Sequence, residues 1–205
     1  MEHNYKQPVT SHGIKTFNMI VDTAKVLFAE KGYNSTSINK IIEDANIATG
    51  TFYIYFDDKL SLYTYILKEY KQKIREYIDK KTINCKTRYD LEREGIKAFI
   101  EFAYKDHLSY NIIWESLFID RTIFQEYYET FASRYISGLN IAKENGELQD
   151  IDIETLSYIL MGISNFVGLQ VIFKKHNNIT LSDEDLNFYV DQIMLVLRRG
   201  VFKNI

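Results

Sequence analysis

A single proline, Pro8, stands in a chain of 205 residues. Beyond it no residue lacks a backbone N–H or has its φ locked by a ring, so nothing forbids long helices. From Ile14 onward the apolar residues recur at helical spacing, and no stretch alternates as a half-buried strand would. The fold class expected is therefore all-α, with about nine helices by element count.

Residues 1–12 show no periodicity and read as a mobile tail. A first helix follows, carrying Ile14, Phe17, Ile20 or Val21, Ala24, Leu27 and Phe28, and Gly32 is suited to stop it. Ser37 can cap a short second helix with Ile38, Ile41, Ile42 and Ala45 on it. Asn46-Ile47-Ala48 breaks that helix, and a third runs from about Thr49 to Tyr55. Asp58 can cap a long fourth helix over 58–81, and the apolar pattern lapses at Thr82–Arg88. Periodicity resumes from Tyr89 to Lys105, then through an aromatic-dense stretch that starts at Tyr110 and ends at Asn145-Gly146. Asp152 can cap a helix reaching about Lys175, and Ser182-Asp183-Glu184-Asp185 is a strong start for a last helix to about Arg199.

Composition narrows the function classes. Hydrophobic residues make up 46%, enough for a buried core, and 16 Tyr and 13 Phe must be placed in core, interface or pocket. The lone Cys85 cannot form an internal disulfide, which fits a reducing cytoplasm. No signal-peptide pattern is present, and the uninterrupted apolar runs are far shorter than the ~20 residues that span a bilayer, so no membrane is expected as a partner. Net charge is -3, but residues 1–81 hold 12 basic and 10 acidic side chains, whereas residues 82–205 hold 13 and 18. The N-terminal part is the side better suited to phosphate. The four histidines show no metal-ligand spacing and no glycine-rich phosphate loop occurs, so neither metal nor cofactor is expected.

The second and third helices have the logic of a helix-turn-helix, in which one short helix supports another that enters the major groove. Ile38, Ile41, Ile42 and Ala45 are apolar where the support must pack, and Ile47 can pin the turn. Gly50 permits close approach of DNA or of a neighbouring helix. Thr49, Thr51, Tyr53 and Tyr55 offer hydroxyls, with Phe52 and Phe56 on the opposite face as core. Lys59 follows where it can reach a phosphate.

The run from Gly32-Tyr33 through Thr36-Ser37, Ala45-Asn46-Ile47-Ala48, Gly50-Thr51-Phe52-Tyr53 and Tyr55-Phe56 to Lys59 resembles the TetR/AcrR family of transcription regulators. The resemblance covers residues ~13–60 and is specific there; beyond it only helix order and size agree. It implies a DNA-binding domain over 13–57 and a ligand-binding and dimerisation domain over 58–205, and no enzyme activity. It implies phosphate contacts from Tyr53, Lys59 and the segment Ser35, Thr36, Ser37. It implies base contacts from Thr49, Gly50, Thr51 and Tyr55, with Asn39 able to reach the groove. Two positions depart from the family pattern. Asn46 stands where Gly is usual, and Asn tolerates the left-handed conformation. Ala48 stands where Ser is usual and cannot cap the third helix; either Thr49 takes over or the cap is lost.

The last two helices are apolar nearly all round and must be covered on more than one face. A single large core would do this. The resemblance favours a homodimer through these helices, matched to a palindromic double-stranded operator. The aromatic-dense middle suggests a pocket for a hydrophobic or aromatic small-molecule effector, with Phe99, Phe102, Tyr110, Trp114, Phe118, Tyr128 and Phe131 as candidate lining. Phe166 joins them from the helix after Asp152, and Glu115 and Asn165 are the candidate polar anchors. The expected function is a repressor that such a ligand releases from DNA. A helical enzyme or a ligand carrier is the other reading, and salt-dependent DNA binding separates them.

Overall fold

A computed structural model describes residues 5–177 and 180–202. Among these residues it is all-helical, with nine helices and two isolated antiparallel bridges, Tyr5–Phe56 and Leu148–Phe202. In chain order the helices are α1 (Ser11–Lys31), α2 (Ile38–Asp44), α3 (Thr49–Tyr55), α4 (Lys59–Thr82), α5 (Arg88–Lys105), α6 (His107–Ile119), α7 (Arg121–Glu144), α8 (Ile153–His176) and α9 (Asp183–Gly200).

The caps read from sequence are those that start the helices. Ser37, Asp152 and Ser182 each accept a bond from the third residue onward, and Ser182 with Asp185 forms a complete capping box. Asp58 accepts from the Ser61 amide at 2.7 Å. Gly32 ends α1 with φ 82, a conformation open to glycine at little cost. At the N-terminus the expectation of a mobile tail to residue 12 is corrected for the described residues. Thr10 caps α1 by accepting from the Gly13 amide, so the helix begins at Ser11, and Tyr5 is bridged to Phe56. Residues 1–4 of that tail lie outside the described residues.

The chain divides into two compact units, and the divisions fall inside or at the ends of helices. The first holds the residues up to Gln72 together with Leu108–Tyr127. Its core is aromatic and aliphatic: Phe17, Ile20, Phe28, Ile41, Phe52, Phe56 and Tyr63 are all buried. The start of α4 belongs here, not with the body as a boundary at 57/58 implied, because Tyr63 packs edge-on to Phe28 and Glu69 pairs with Lys25 at 2.7 Å. The second unit holds Lys73–His107 and the residues from Tyr128 onward. There α8 and α9 both pack on α5, around Ile96, Ile100, Leu156, Leu160, Val190 and Met194. Arg88 and Glu92 form a buried ion pair in this unit, and Tyr135 donates its hydroxyl to the same carboxylate.

Helix α8 has a mean hydropathy of 1.7 over its apolar window, long and apolar enough by composition to cross a bilayer. The sequence expectation differed because Ser157, Ser164 and Asn165 interrupt each apolar run without lowering the average much. In the second unit Leu156, Leu160 and Val171 of α8 lie in the core.

Candidate nucleic-acid interface

The residues that hold α3 in place are apolar and internal. Ile41 of α2 and Phe52 of α3 are fully buried, and Phe56 beyond α3 stacks on Phe17 at 5.0 Å. Asn46 turns the chain between α2 and α3 with φ 51, the left-handed region that Asn tolerates. The Ile47 amide reaches back to the Ile42 carbonyl at 3.2 Å, closing the turn. Ala48 occupies the N-cap of α3 with no side-chain bond, so the cap is lost and Thr49 does not replace it.

With Phe52 turned inward, the opposite face of α3 is open. Thr49 and Gly50 are exposed, Tyr53 is 51% exposed and Ile54 58%. A Cβ on Gly50 would meet nothing within 4 Å, so this glycine leaves room outward and not toward a neighbouring helix. Thr51 is half-buried. Asn39 and Ser35 are exposed, and Ser37 is exposed while capping α2. Ser35, Ser37, Asn39, Thr49, Gly50 and Tyr53 are thus all exposed residues of one small module.

Three of the expected contacts are corrected. Thr36 is 1% exposed, and its hydroxyl donates to the Gly32 carbonyl at 2.9 Å and lies 3.3 Å from that of Leu27. Its side chain fastens the end of α1 and does not reach a phosphate. Lys59 donates to the carbonyls of Tyr33 at 2.7 Å and Thr36 at 2.8 Å, and its ammonium sits 4.1 Å from the Tyr33 ring centroid. Burial pulls its pKa down, with the Glu115 carboxylate opposing. Lys59 is an internal tie, not a free cation. Tyr55 is half-buried, packs edge-on to Phe17 and holds its hydroxyl near Gly13 at the start of α1, which turns it away from a base.

Glu115, expected as a ligand anchor, is also corrected. Its Oε1 accepts from the Tyr33 amide at 2.7 Å, where α1 has ended, so it joins α6 to the end of α1. Burial raises this carboxyl above the ordinary carboxylate range, while the Tyr33 amide and Lys59 pull it down. Tyr63 completes the knot, packing edge-on to Tyr33 and donating its hydroxyl to the Ile112 carbonyl. Nothing local in the sequence marks these pairs, whose members stand 82 and 49 residues apart.

The other candidate ligand residues fall in both units. In the first, Tyr110 is buried and lies 6.5 Å from Trp114, which lies 6.3 Å from Phe124. Phe118 is 83% exposed and lines no interior. In the second, Phe99 packs on the hydrophobic core, Phe102 lies against Tyr77, and burial raises the Tyr128 phenol to about 12. Phe131 lies under the Arg75 guanidinium at 5.0 Å. Asn165 donates its amide to the Met161 carbonyl one turn back. Phe166 is 66% exposed, on the outer face of α8. His107 and His176, far apart in sequence, come within 5.8 Å. No group of three potential metal ligands occurs among the described residues.

Comparison with known proteins agrees with this geometry. Residues 20–66, from the middle of α1 to the first turns of α4, match the family model for bacterial regulatory proteins of the tetR family. The chain is 28% identical over 173 residues to the HTH-type transcriptional regulator QacR of Staphylococcus aureus, covering 78% of this chain and 86% of QacR. It is 37% identical over 92 residues to the HTH-type transcriptional regulator YuxN of Bacillus subtilis, but spans only 30% of the length of that protein. The fold as a whole matches a TetR-family structure from Syntrophomonas wolfei with a TM-score of 0.77 at 20% identity, covering 91% of this chain and 96% of that one. Each of these relatives carries the name of a transcriptional regulator. The exposed hydroxyl face of α3 and the left-handed Asn46 turn lie within residues 20–66, the segment that matches the tetR family of bacterial regulatory proteins, and the fold over 91% of the chain is that of a TetR-family structure.

Proposed function

We propose that this chain is a cytoplasmic, dimeric repressor that binds a palindromic operator through α3 and is released by a mainly hydrophobic or aromatic small molecule. The observation that carries the DNA reading is the open face of α3, where Thr49, Gly50, Tyr53 and Ile54 stand outward while Phe52 is fully buried. No charged residue lies on α3, so direct arginine-to-guanine reading has no donor there. Thr49, Thr51 and Asn39 offer hydroxyl, methyl and amide contacts, and DNA shape carries the remaining specificity.

The dimer reading is supported by the outer face of α8 and α9. Ile159, Phe166 and Phe173 recur along α8 at 47%, 66% and 55% exposure, and Leu195 and Val196 of α9 at 56% and 70%. The three α8 residues recur seven apart and so share one helix face, and an exposed apolar face suits an interface; a second copy related by a twofold axis matches two half-sites about one helical turn apart. The effector reading is supported in each unit taken by itself: buried Tyr110 lies beside Trp114 in the first, and in the second burial raises the Tyr128 phenol to about 12.

The experiment is footprinting of the purified protein on upstream DNA of its own locus, repeated with a ligand found by thermal-shift screening. A symmetric protected site lost on adding ligand is expected. Absence of any protected site overturns the DNA reading, and a tight ligand that leaves protection unchanged overturns the coupling.

A further inference from the structure

The segment that carries α1, α2, α3 and the first half of α4 has little charge to offer a polyanion. Residues 5–72 contain eight lysines and no arginine. Lys25 is paired with Glu69 and Asp22, and Lys40 with Asp44 and Glu43. Lys59 is committed to two carbonyls, Lys68 donates to the Tyr5 hydroxyl at 3.0 Å, and Lys71 is engaged as well. Three remain exposed with no partner among the described residues: Lys6, Lys15 and Lys31. Lys31 lies in the last turn of α1, while Lys15 lies in its second turn and Lys6 just before the helix.

Lys6 and Lys15 share a corner with the end of the recognition helix. Tyr5 is bridged to Phe56, and the Lys6 amide donates to the carbonyl of Tyr55, the last residue of α3, at 2.8 Å. The Tyr5 ring packs edge-on to Tyr65 at 4.9 Å, which fixes the arm on α4. Gly13 is buried in the same corner: a Cβ there would lie 3.0 Å from Pro8 and 3.3 Å from the Tyr55 hydroxyl. The arm, the first turn of α1 and the C-terminal end of α3 are thus packed together, with both free ammonium groups outward.

We propose that residues 5–15 form a second DNA-contact element, in which Lys6 and Lys15 bind backbone phosphates of the double-stranded DNA that α3 enters. The proposal rests on the DNA-binding reading above and replaces the phosphate role that Lys59 does not fill. Such contacts fix register and orientation and read no bases. Tyr5 is the positioning residue, because it holds Lys6 against α3.

The test uses the full chain and a labelled random-sequence duplex, with anisotropy titrations between about 50 and 200 mM salt. Lys6→Gln and Lys15→Gln are each expected to flatten the log–log salt slope by about 0.9 for every protomer on the duplex. Lys31→Gln is expected to leave the slope unchanged. Tyr5→Ala is expected to weaken binding when Lys6 is present and to add nothing to Lys6→Gln, a coupling that a purely structural tyrosine would not produce. Both lysines are exposed and unpaired, so the melting curves of their variants are expected to overlay that of the wild type. A wild type that binds with a slope unchanged in the Lys6→Gln/Lys15→Gln double variant overturns the element alone. An equal effect of Lys31→Gln also overturns it, because net charge and not location would then set the slope. A wild type that binds no duplex at all overturns the DNA reading together with it.

Discussion

Two carbonyl oxygens, of Tyr33 and Thr36, depend on the ammonium group of Lys59. Lys59→Met keeps the length of the stem and leaves both acceptors without that donor. The expected loss is about 2 kcal/mol, or ~4–8 °C in melting temperature for a chain of this size, with the salt slope of DNA binding unchanged. A fall in slope without a fall in melting temperature would return Lys59 to the phosphate. Glu115 makes a second residue-scale prediction. Burial holds its carboxyl above its ordinary value, so the folded state binds a proton more tightly than the unfolded one, and ionisation costs stability as pH rises through that window. Glu115→Gln keeps an oxygen for the Tyr33 amide and removes the titration. Its stability relative to wild type, followed by chemical denaturation, is expected to rise from the ordinary carboxylate value upward and then level off. A difference that falls with pH would mean that the carboxylate is stabilised by Lys59 more than it is penalised by burial. Neither role was legible in the sequence, where Lys59 matched a family position and Glu115 only stood beside an aromatic. Burial direction is decided by partners far along the chain.

At the scale of elements, local chemistry was largely sufficient. Ser37, Asp152 and Ser182 begin helices because a hydroxyl or carboxylate there meets an orphan amide, and this is written within four residues. The start of α1 at Thr10 was not read, because Ser11 and His12 are polar and give no periodicity. The break between α6 and α7 at Asp120 was missed for the converse reason, since aromatic residues continue on both sides of it. Helix α3 lacks a side-chain cap at a suitable backbone: Ala48 has φ -73 and ψ 146, the extended geometry of an N-cap. Ala48→Ser is expected to stabilise the protein by about 1 kcal/mol, read as ~2–4 °C in a thermal melt. No gain would mean that the amides of the first turn are already satisfied. Between helices, Glu101 of α5 receives Lys105 of its own helix and Lys81 of α4 at 2.6 and 3.1 Å. Burial pushes its carboxyl up, but the hydrogen bonds from Lys105, Lys81 and Tyr77 outweigh this and bring it to about 2. Its stabilisation is therefore full above the ordinary carboxylate value and is lost as pH falls toward 2. Glu101→Gln is expected to melt below wild type at neutral pH, with the gap closing over that acid window. A gap independent of pH would assign the effect to packing.

For the whole molecule, a helix count and an apolar surplus in α8 and α9 were legible, and the faces of those helices were not. Periodicity cannot say which of several apolar sides of α8 meets its own core: Leu156, Leu160 and Val171 turn inward and Ile159, Phe166 and Phe173 turn out. The same limit scattered the ligand candidates, since Phe118 and Phe166 are as aromatic as Tyr110 and yet face outward. Phe166→Glu places a charge on the outer face without touching the core. Light scattering is expected to change from twice the chain mass of 24.2 kDa to that mass, with helicity retained. A variant that stays dimeric would move the interface elsewhere.

On the proposed DNA reading, the scarcity of unpaired lysines in residues 5–72 also sets how the protein responds to the ionic strength of its surroundings. If each protomer neutralises two phosphates, a dimer releases about four counterions, and a fourfold rise in salt weakens it about a hundredfold. A regulator making six to ten such contacts loses ~10³–10⁵ over the same range. Osmotic upshift, which concentrates intracellular salt, would therefore disturb operator occupancy less here than in a strongly basic regulator. On the same reading the stay on unrelated sequence would be brief, and search would proceed more by repeated three-dimensional encounter than by long travel along the duplex.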